Sequence, residues 1–211
     1  MTLAQPEPAP PPTPPLPDER SVRILAAALA LTEEGGFPAV KLRDVAQSSG
    51  VALGTLYKRF RSKEELMLAV VNQELNEFQS KVAGTNITGS RSERLLTAFM
   101  SMTDFLLERP NLGRALVRSV HTADGELAES LICVNATVAD IIGIGLVGAE
   151  PRSPTAWELE AVGVLQGYWF SLMVGWAIGV QSRGGIEDNL RKTIHLLDHG
   201  LHGLAAMAQA E

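Results

Sequence analysis

Gly50 separates two short segments that both have helical patterning, and this arrangement restricts how the N-terminal part of the chain can fold. In "KLRDVAQSS", Leu42 and Val45 fall on one side of a helix, and in "ALGTLYKRF", Leu56 and Phe60 are four residues apart on one face. Glycine readily adopts the left-handed conformation that ends one helix and turns the chain into the next. Two short helices joined in this way, and braced by a preceding helix, form a helix-turn-helix.

Capping signals mark the helices on either side of this motif. Asp18 or Ser21 can cap a first helix through "SVRILAAALALTEE", which a pair of glycines then ends. Ser62, followed by Glu65 three residues later, has the pattern of a capping box. It predicts a long helix from residue 63 to about residue 82. Three short helices and one long helix therefore account for the chain up to residue 83.

Helical spacing continues beyond the polar break "AGTNITGS". Prolines and glycines divide this part into five predicted helices, at roughly 91–109, 111–121, 124–147, 154–182 and 186–209. The segment "ICVNATVADIIGIGLVG" is rich in β-branched residues, but it is too long for a strand and lacks period-two alternation. The expected fold is therefore all-α, with a three-helix helix-turn-helix domain followed by a larger helical domain.

Charge is distributed unevenly along the chain. The formal net charge of the 211 residues is −6, yet the segment from Lys41 to Lys63 holds six basic residues and one acidic residue. Because local rather than total charge decides binding to a polyanion, this segment is the candidate nucleic-acid surface. The first 17 residues contain eight prolines and no Lys or Arg, which predicts a disordered arm. We expect the first domain at 18–66, a connecting helix to about residue 83, and the second domain at 84–211.

Other features exclude several classes of protein. A single cysteine, Cys133, cannot form an internal disulfide or a cysteine-based metal cluster, and it is expected to be a small buried apolar residue. No run of 18 consecutive apolar residues predicts a membrane span, and the start "MTLAQPEPAP" lacks the order of a signal peptide. We therefore expect a cytoplasmic protein that has no membrane partner and no cofactor.

The segment "GFPAVKLRDVAQSSGVALGTLYKRFRSKEEL" resembles the DNA-binding domain of the TetR family of transcriptional regulators. The family pattern has "R-x-[IVL]-A" in the second helix, a "G-V" turn, and then "T-[LIF]-Y-x-[HRY]-F-x-[ST/N]-K-E-x-L". This chain meets it at Arg43, Val45, Ala46, Gly50, Val51, Thr55, Leu56, Tyr57, Phe60, Ser62, Lys63, Glu64 and Leu66. The detailed resemblance covers residues 20–70. One departure is Lys41, which stands where family members often carry a capping Thr or Ser.

The resemblance implies DNA contacts, and the chemistry of the residues agrees. A threonine can contact a thymine methyl group, a lysine can reach guanine acceptors or a phosphate, and a glycine near the start of the helix permits close approach of the backbone. The predicted DNA-binding residues are Lys41, Arg43, Leu53, Gly54, Thr55, Tyr57, Lys58 and Lys63. Arg59 and Arg61 are expected to be solvated or to steer phosphates.

The family pairs this DNA reader with a helical effector domain that dimerises through its last two long helices. The segment "AVGVLQGYWFSLMVGWAIGV" is apolar on more than one face, as a helix buried against its own core and against a partner should be. A homodimer would place two recognition helices about one DNA turn apart, ~34 Å, and so match a palindromic operator. The resemblance thus implies a ligand-responsive regulator, most often a repressor, whose partners are double-stranded operator DNA and a small-molecule effector.

Large, flexible and aromatic side chains in the effector domain predict a mainly apolar ligand pocket. Three polar residues, Asn135, Thr137 and Gln166, lie within apolar stretches, and they could orient a polar ligand group or bond within the protein. The layout is most similar to the lipid- or steroid-catabolism branch of the family, which suggests sterol-derived acids or acyl-CoA thioesters. Arg114 and Arg118 could then meet an anionic head group. The predicted ligand-binding residues are Phe99, Met102, Phe105, Leu106, Leu116, Asn135, Gln166, Tyr168, Trp169, Met173 and Trp176.

Two other functions remain open at this stage. The segment "HLLDHGLH" spaces His195, Asp198, His199 and His202 so that one helix face could bind zinc, as an enzyme would require. It lacks the glutamate of an H-E-x-x-H pattern, so we expect neither a metal site nor an enzyme. The third hypothesis is a helical protein-interaction module that no longer reads DNA, which the local basic charge disfavours.

Overall fold

The structure is a computed structural model, which describes residues 18–83, 85, 87–122, 125–147 and 153–208, with the side chains of residues 147, 157 and 199–208 excepted. The proline-rich arm at 1–17 lies outside the described residues. The expectation of an all-α fold is confirmed, since the described residues contain nine α-helices, one 3-10 turn and no strand. The helices are α1 (Glu19–Ala39), α2 (Leu42–Ser49), α3 (Leu53–Arg59), α4 (Lys63–Val82), α5 (Arg91–Glu108), α6 (Pro110–Thr122), α7 (Ala128–Val147), α8 (Ala156–Ala177) and α9 (Arg183–Ala208).

The helix starts follow from capping side chains. Asp18 caps α1 by accepting a hydrogen bond from the backbone N–H of Ser21, and Ser62 caps α4 in the same way through Glu65. The capping box predicted at α4 is only half formed, because the Glu65 carboxylate accepts from the N–H of Arg61 at 2.6 Å. Complete capping boxes instead begin α5, at Ser90 with Glu93, and α8, at Thr155 with Glu158.

The glycine pair interrupts the first helix as predicted: Gly36, with φ 68°, leaves the helical conformation and kinks the chain, and helical residues resume after it as far as Ala39. Two other predicted boundaries differ from those observed. A 3-10 turn over Gly125–Leu127 precedes α7, which begins at Ala128 rather than at 124. The helix expected at 154–182 stops at Ala177, because Gly179 has φ 82° and turns the chain towards α9.

Helix α6 connects the N-terminal helices with the rest of the bundle. It packs against α1 and α4 on one side and against α5 and α8 on the other. Helix α4 also packs along α7, and α9 packs against α5 and α8. A continuous apolar core runs through both parts, from Ile24 and Leu56 to Leu106 and Trp169. Helix α6 is therefore in direct contact with α1 and α4, which flank the helix-turn-helix.

The stretch Gly125–Leu146, which contains most of α7, is long and apolar enough to cross a membrane, with a mean hydropathy of 1.6. The expectation that no segment approaches such a span was therefore too strong. Core helices of soluble proteins pass the same test, and α7 packs against α4, α5 and α8, although only 33% of the tested window is buried in the single chain.

Candidate DNA-binding surface and ligand cavity

The turn of the helix-turn-helix is built by Gly50. This residue has φ 64°, in the left-handed region, and its N–H contacts the carbonyl groups of Ala46 and Gln47 at the end of α2. The next N–H, that of Val51, donates to the Ala46 carbonyl at 3.1 Å, and the Val51 side chain is buried. These bonds satisfy the last carbonyl groups of α2 and fix the direction in which α3 leaves.

Helix α3 is anchored on one side and open on the other. Leu56 is fully buried and Phe60 packs against the same core, whereas Leu53, Gly54, Tyr57 and Lys58 are exposed. A Cβ added to Gly54 would meet no atom within 4 Å, so no residue that the structure describes covers this end of the helix. Thr55 is half-buried beside them. The structure thus brings five predicted DNA-binding residues together on and beside one uncovered surface of a rigidly held helix.

Lys41 and Arg43 extend this surface from the start of α2. Both are exposed, and neither forms an ion pair within the part of the chain that the structure describes. Lys41 occupies the N-cap position of α2 without a side-chain hydrogen bond, as expected for a residue that has no acceptor. Its ammonium group is therefore available to an external anion.

Arg59 has a different role from the one expected. Its guanidinium donates to the Ser21 hydroxyl at 2.6 Å and pairs with the Asp18 carboxylate, both at the start of α1. The same Asp18 carboxylate caps α1, and its pKa is lowered chiefly by the hydrogen bond from the Ser21 N–H, with Arg59 adding to the effect. Arg59 thus ties the end of the recognition helix to α1 instead of remaining a freely solvated charge. The partners are 38 and 41 residues apart along the chain, so no local pattern indicates this contact.

Lys63 lies in the first turn of α4, and its ammonium nitrogen is 4.1 Å from the centre of the Phe37 ring. Its pKa is lowered, first by burial and further by the charges of Arg118 and Lys41, while Glu64 opposes the shift. The N-terminal end of a 20-residue helix also favours an anion at this place. Lys63 is therefore a cation beside other cations, at a helix end that attracts negative charge.

A cavity of about 430 Å³ lies between α6, α7 and α8. Most of its lining is apolar, and none of the residues around it carries a charge. The lining residues are Leu116, Val120, Val134, Asn135, Val138, Gly163, Gln166, Gly167, Trp169 and Phe170. Its size is in the range of sites that bind drug-sized ligands. This cavity is the candidate effector site.

The predicted ligand-binding residues divide into two groups. Leu116, Asn135, Gln166 and Trp169 line the cavity. The other members of the set lie elsewhere. Four are buried in the core: Phe99, Met102, Leu106 and Met173. Phe105 packs against Phe78 with ring centres 4.8 Å apart, Tyr168 is half-buried against the core, and Trp176 lies beneath Arg114. Aromatic and methionine residues fill cores as readily as they line cavities, so composition did not separate the two groups.

The lining residues that the sequence did not suggest are mostly small or β-branched. Gly163, Gly167 and Phe170 share a face of α8 with Gln166, a helical spacing that could have indicated a cavity wall. Arg114 and Arg118 do not line the cavity: each guanidinium lies over an aromatic ring, that of Trp176 at 5.2 Å and that of Phe37 at 4.8 Å.

Hydrogen bonds hold the polar side of the cavity in place. The side-chain amide nitrogen of Gln166 donates to the side-chain oxygen of Asn135 at 3.1 Å and to the backbone carbonyl oxygen of Asn135 at 3.2 Å. On the buried side, the Trp169 indole N–H donates to the Thr103 hydroxyl at 2.9 Å. Thr137, the third polar residue considered, instead contacts Asn72 of α4 at 2.9 Å. The cavity therefore offers one amide pair to a ligand and is otherwise apolar.

A larger groove of about 540 Å³ runs between α5 and α9, but its chemistry is unsuited to an apolar ligand. Its walls carry Glu93, Asp104, Arg183, Glu187 and Arg191. Arg183 bonds Asp104 through two nitrogens, at 2.6 and 2.7 Å, and Glu187 at 3.0 Å. These charges satisfy one another across an open surface, which leaves the cavity between α6, α7 and α8 as the candidate effector site.

The zinc hypothesis finds no metal site among the described residues, which contain no group of three or more His, Cys, Asp or Glu able to hold an ion. Two of its four members, His199 and His202, have side chains outside the described part. Asp198 accepts a hydrogen bond from Ser92 at 3.2 Å. Cys133, expected to be buried, is partly exposed on α7.

Two protein-family models match the chain. One, described as bacterial regulatory proteins of the tetR family, matches residues 24–70, and the other, described as the tetracyclin repressor-like C-terminal domain, matches residues 89–197. The HTH-type transcriptional repressor KstR of Rhodococcus jostii (strain RHA1) is 31% identical over 180 residues, which are 85% of this chain and 82% of that protein.

Solved structures show the same fold. A TetR transcriptional regulator from Rhodococcus sp. RHA1 has a TM-score of 0.76 and 28% sequence identity, over 84% of this chain and 94% of that one. Thermus thermophilus FadR, a TetR-family repressor solved in complex with lauroyl-CoA, has a TM-score of 0.64. With 19% identity over 84% of this chain and 92% of that one, this second likeness concerns the fold alone.

Proposed function

The chain belongs to the TetR family of bacterial regulatory proteins, as its helix-turn-helix motif predicted, and on that premise we propose that it is a ligand-responsive transcriptional repressor. It binds a palindromic operator as a homodimer in the cytoplasm and is released when a largely apolar small molecule occupies the cavity between α6, α7 and α8. It has no enzyme activity in this proposal.

One observation carries this proposal: α6 belongs both to the cavity and to the support of the DNA reader. Leu116 and Val120 of this helix line the cavity, while other residues of α6 pack against α1 and α4. A ligand can shift an equilibrium only through a difference in its affinity for two states. A cavity whose wall is packed against the DNA-reading helices supplies such a difference, because occupancy changes the position of α6 relative to α1 and α4.

The proposed operator contacts are the eight predicted residues, with Thr55 and Lys58 reading bases and Arg43, Tyr57 and Lys63 holding phosphates. Thr55 and Lys58 are one turn apart on α3, beside the uncovered surface at Gly54. Tyr57 is 51% exposed, so its hydroxyl is free to reach the DNA backbone. The domain boundaries that go with these roles are 18–66 for the DNA reader, the rest of α4 as connector, and 84–211 for effector binding and dimerisation.

The proposed effector is a lipid, steroid or acyl-CoA type of molecule. The uncharged, mainly apolar lining supports an apolar body, and the Gln166–Asn135 pair supports one polar group on it. The relative solved with lauroyl-CoA has the same fold, which makes acyl thioesters suitable first compounds to test. An acyl-CoA would leave its charged part outside, because the lining carries no cation.

The proposed dimer uses α8 and α9. Leu159 and Val164 of α8 and Leu196 of α9 are more than half exposed in the single chain, although they are large and apolar. A second copy of the chain that covers these side chains would remove their apolar surface from water.

Selection of duplexes from a random library, followed by a titration of the selected duplex, tests the proposal. Wild-type protein is expected to enrich a short palindrome, and lipids or acyl thioesters are expected to release it. Lys63→Ala should weaken binding of the enriched duplex while the protein remains folded by circular dichroism. Failure to enrich any duplex at low salt would favour the protein-interaction module and refute the proposed repressor.

A further inference from the structure

Two cations from different parts of the chain share one aromatic ring. Lys63 at the start of α4 places its ammonium nitrogen 4.1 Å from the centre of the Phe37 ring, and Arg118 of α6 places its guanidinium carbon 4.8 Å from the same centre. The Phe37 side chain is 7% exposed, whereas Arg118 is exposed and Lys63 half-exposed. The ring therefore fixes the two positive groups near each other at the surface, one from each predicted domain.

Neither cation at this ring forms an ion pair with a carboxylate among the described residues. In the part of the chain that the structure describes, Lys41, Lys63 and Arg118 form no ion pair within 4 Å, although most other arginines of the effector half do. Burial is the first cause of the lowered pKa of Lys63; the charge of Glu64 opposes the shift, and the charges of Arg118 and Lys41 add to it. Lys63 and Arg118 are held at one ring without an ion-pair partner, and an anion placed between them removes their mutual repulsion.

We propose that Lys63 and Arg118 form one binding site for a phosphate group of the operator backbone, so that the effector half of the chain supplies a direct DNA contact. The proposal rests on the proposed function. Lys41 and Lys63 already belong to the DNA-binding surface, and the N-terminal end of α4 adds its own attraction for an anion. A guanidinium can hold a phosphate through two parallel hydrogen bonds, which a single ammonium cannot.

This site also connects the cavity with the DNA. Arg118 stands between Leu116 and Val120, which line the cavity, on the opposite side of the same helix. A ligand that displaces α6 therefore moves Arg118 relative to Lys63 and opens the phosphate site. The DNA contact weakens without any movement inside the helix-turn-helix.

Arg118→Gln and Arg114→Gln form a matched pair for the test. Arg114 is on the same helix one turn earlier, is equally exposed and also covers an aromatic ring, Trp176, but it has no contact with Phe37. Both changes remove one positive charge and one cation–π contact. Operator affinity is measured by fluorescence anisotropy between 50 and 200 mM salt, because the slope of log K against log salt counts the phosphates that are neutralised.

We expect Arg118→Gln to reduce the magnitude of this slope by about 0.9 per protomer. For each lost contact, the fall in operator affinity between 50 and 200 mM salt should be about 3.5-fold smaller than in the wild type. Arg114→Gln is expected to keep the wild-type slope, and Arg118→Lys, which retains the charge, is expected to keep most of it. Thermal unfolding followed by circular dichroism shows that each variant is folded. If Arg118→Gln does not fold, Arg118→Lys still tests the site. Its ammonium group cannot form the two parallel hydrogen bonds of a guanidinium, so operator binding should still weaken.

Equal slopes for wild type, Arg118→Gln and Arg114→Gln would overturn the inference while leaving the proposed repressor intact. An unchanged slope combined with a loss of release by lauroyl-CoA would assign Arg118 to an anionic effector and would equally overturn it. If wild-type protein selects no duplex at all, the proposed function and this inference fail together.

Discussion

Replacing Arg109 by methionine is expected to destabilise the folded chain by about 3 kcal/mol. Arg109, between α5 and α6, donates to Glu74 of α4 at 2.5 Å and to Glu33 of α1 at 2.5 and 2.8 Å. Burial acts to lower its pKa, but the hydrogen bonds to Glu74 and Glu33 outweigh this and raise it. Methionine retains the packing of the aliphatic stem and removes the charge.

The magnitude follows from the unequal exposure of the two carboxylates. The Glu74 side chain is 10% exposed and that of Glu33 is 48% exposed. Removing one partner of a buried ion pair costs about 3–5 kcal/mol, and an exposed pair contributes at most about 1 kcal/mol. Arg109 itself is 23% exposed, which places the expected loss near the lower end of the buried range.

Urea unfolding followed by circular dichroism measures this loss, and two further variants apportion it. Glu74→Gln is expected to cost about 2 kcal/mol, because it leaves the arginine without its buried partner, and Glu33→Gln less than about 1 kcal/mol. The reasoning would be refuted if Arg109→Met cost less than about 1 kcal/mol, or if Glu33→Gln were as damaging as Glu74→Gln.

Three other predictions concern separate parts of the molecule. Leu56→Ala should lower stability by about 2–5 kcal/mol in urea unfolding, because the side chain is fully buried, whereas Tyr57→Phe at a half-exposed position should leave stability unchanged and weaken operator binding in anisotropy titrations. Acid unfolding should report on Asp18, because its pKa is lowered in the folded state. The stabilising effect of its carboxylate is therefore present above pH ~4 and is lost as the pH falls through the pKa of the folded state. Asp18→Asn should flatten that part of the dependence of stability on pH. Gln166→Leu should leave operator affinity unchanged and reduce the response to effectors that carry a polar group, as measured by the effector concentration that releases half of the DNA.

The helix-turn-helix was predictable because its determinants are local. Gly50 supplies the left-handed turn, Leu56 and Phe60 are one helical turn apart, and Ser62 caps the next helix three residues ahead of its partner. Each of these signals involves residues fewer than five positions apart. A local sequence pattern therefore predicts the turn, the anchored face of α3 and the start of α4, but not the bonds between Arg59 and the start of α1.

The contacts that join the two halves could not be read from the sequence. Arg109 and Glu33 are 76 residues apart, and the ring of Phe37 is shared with Arg118 from a distant helix. Nothing in the local pattern of α6 indicates which aromatic ring each of its two arginines meets. The cavity was predicted only in part for the same reason. Its wall includes Gly163 and Gly167, and the space beside them depends on how α6, α7 and α8 pack together, which no local pattern shows.

The central claim is that occupancy of the cavity between α6, α7 and α8 controls DNA binding, and it is tested most directly by releasing the selected duplex with a panel of lipids, sterol-derived acids and acyl-CoA thioesters. Wild-type protein is measured beside Val138→Phe, which fills the cavity from α7. The account predicts that at least one compound weakens operator binding of the wild type by roughly 5–150-fold, the usual range of allosteric coupling, while the folded variant binds the duplex but resists release. Equal release of the two proteins, or no release of the wild type by any compound of these classes, would contradict it.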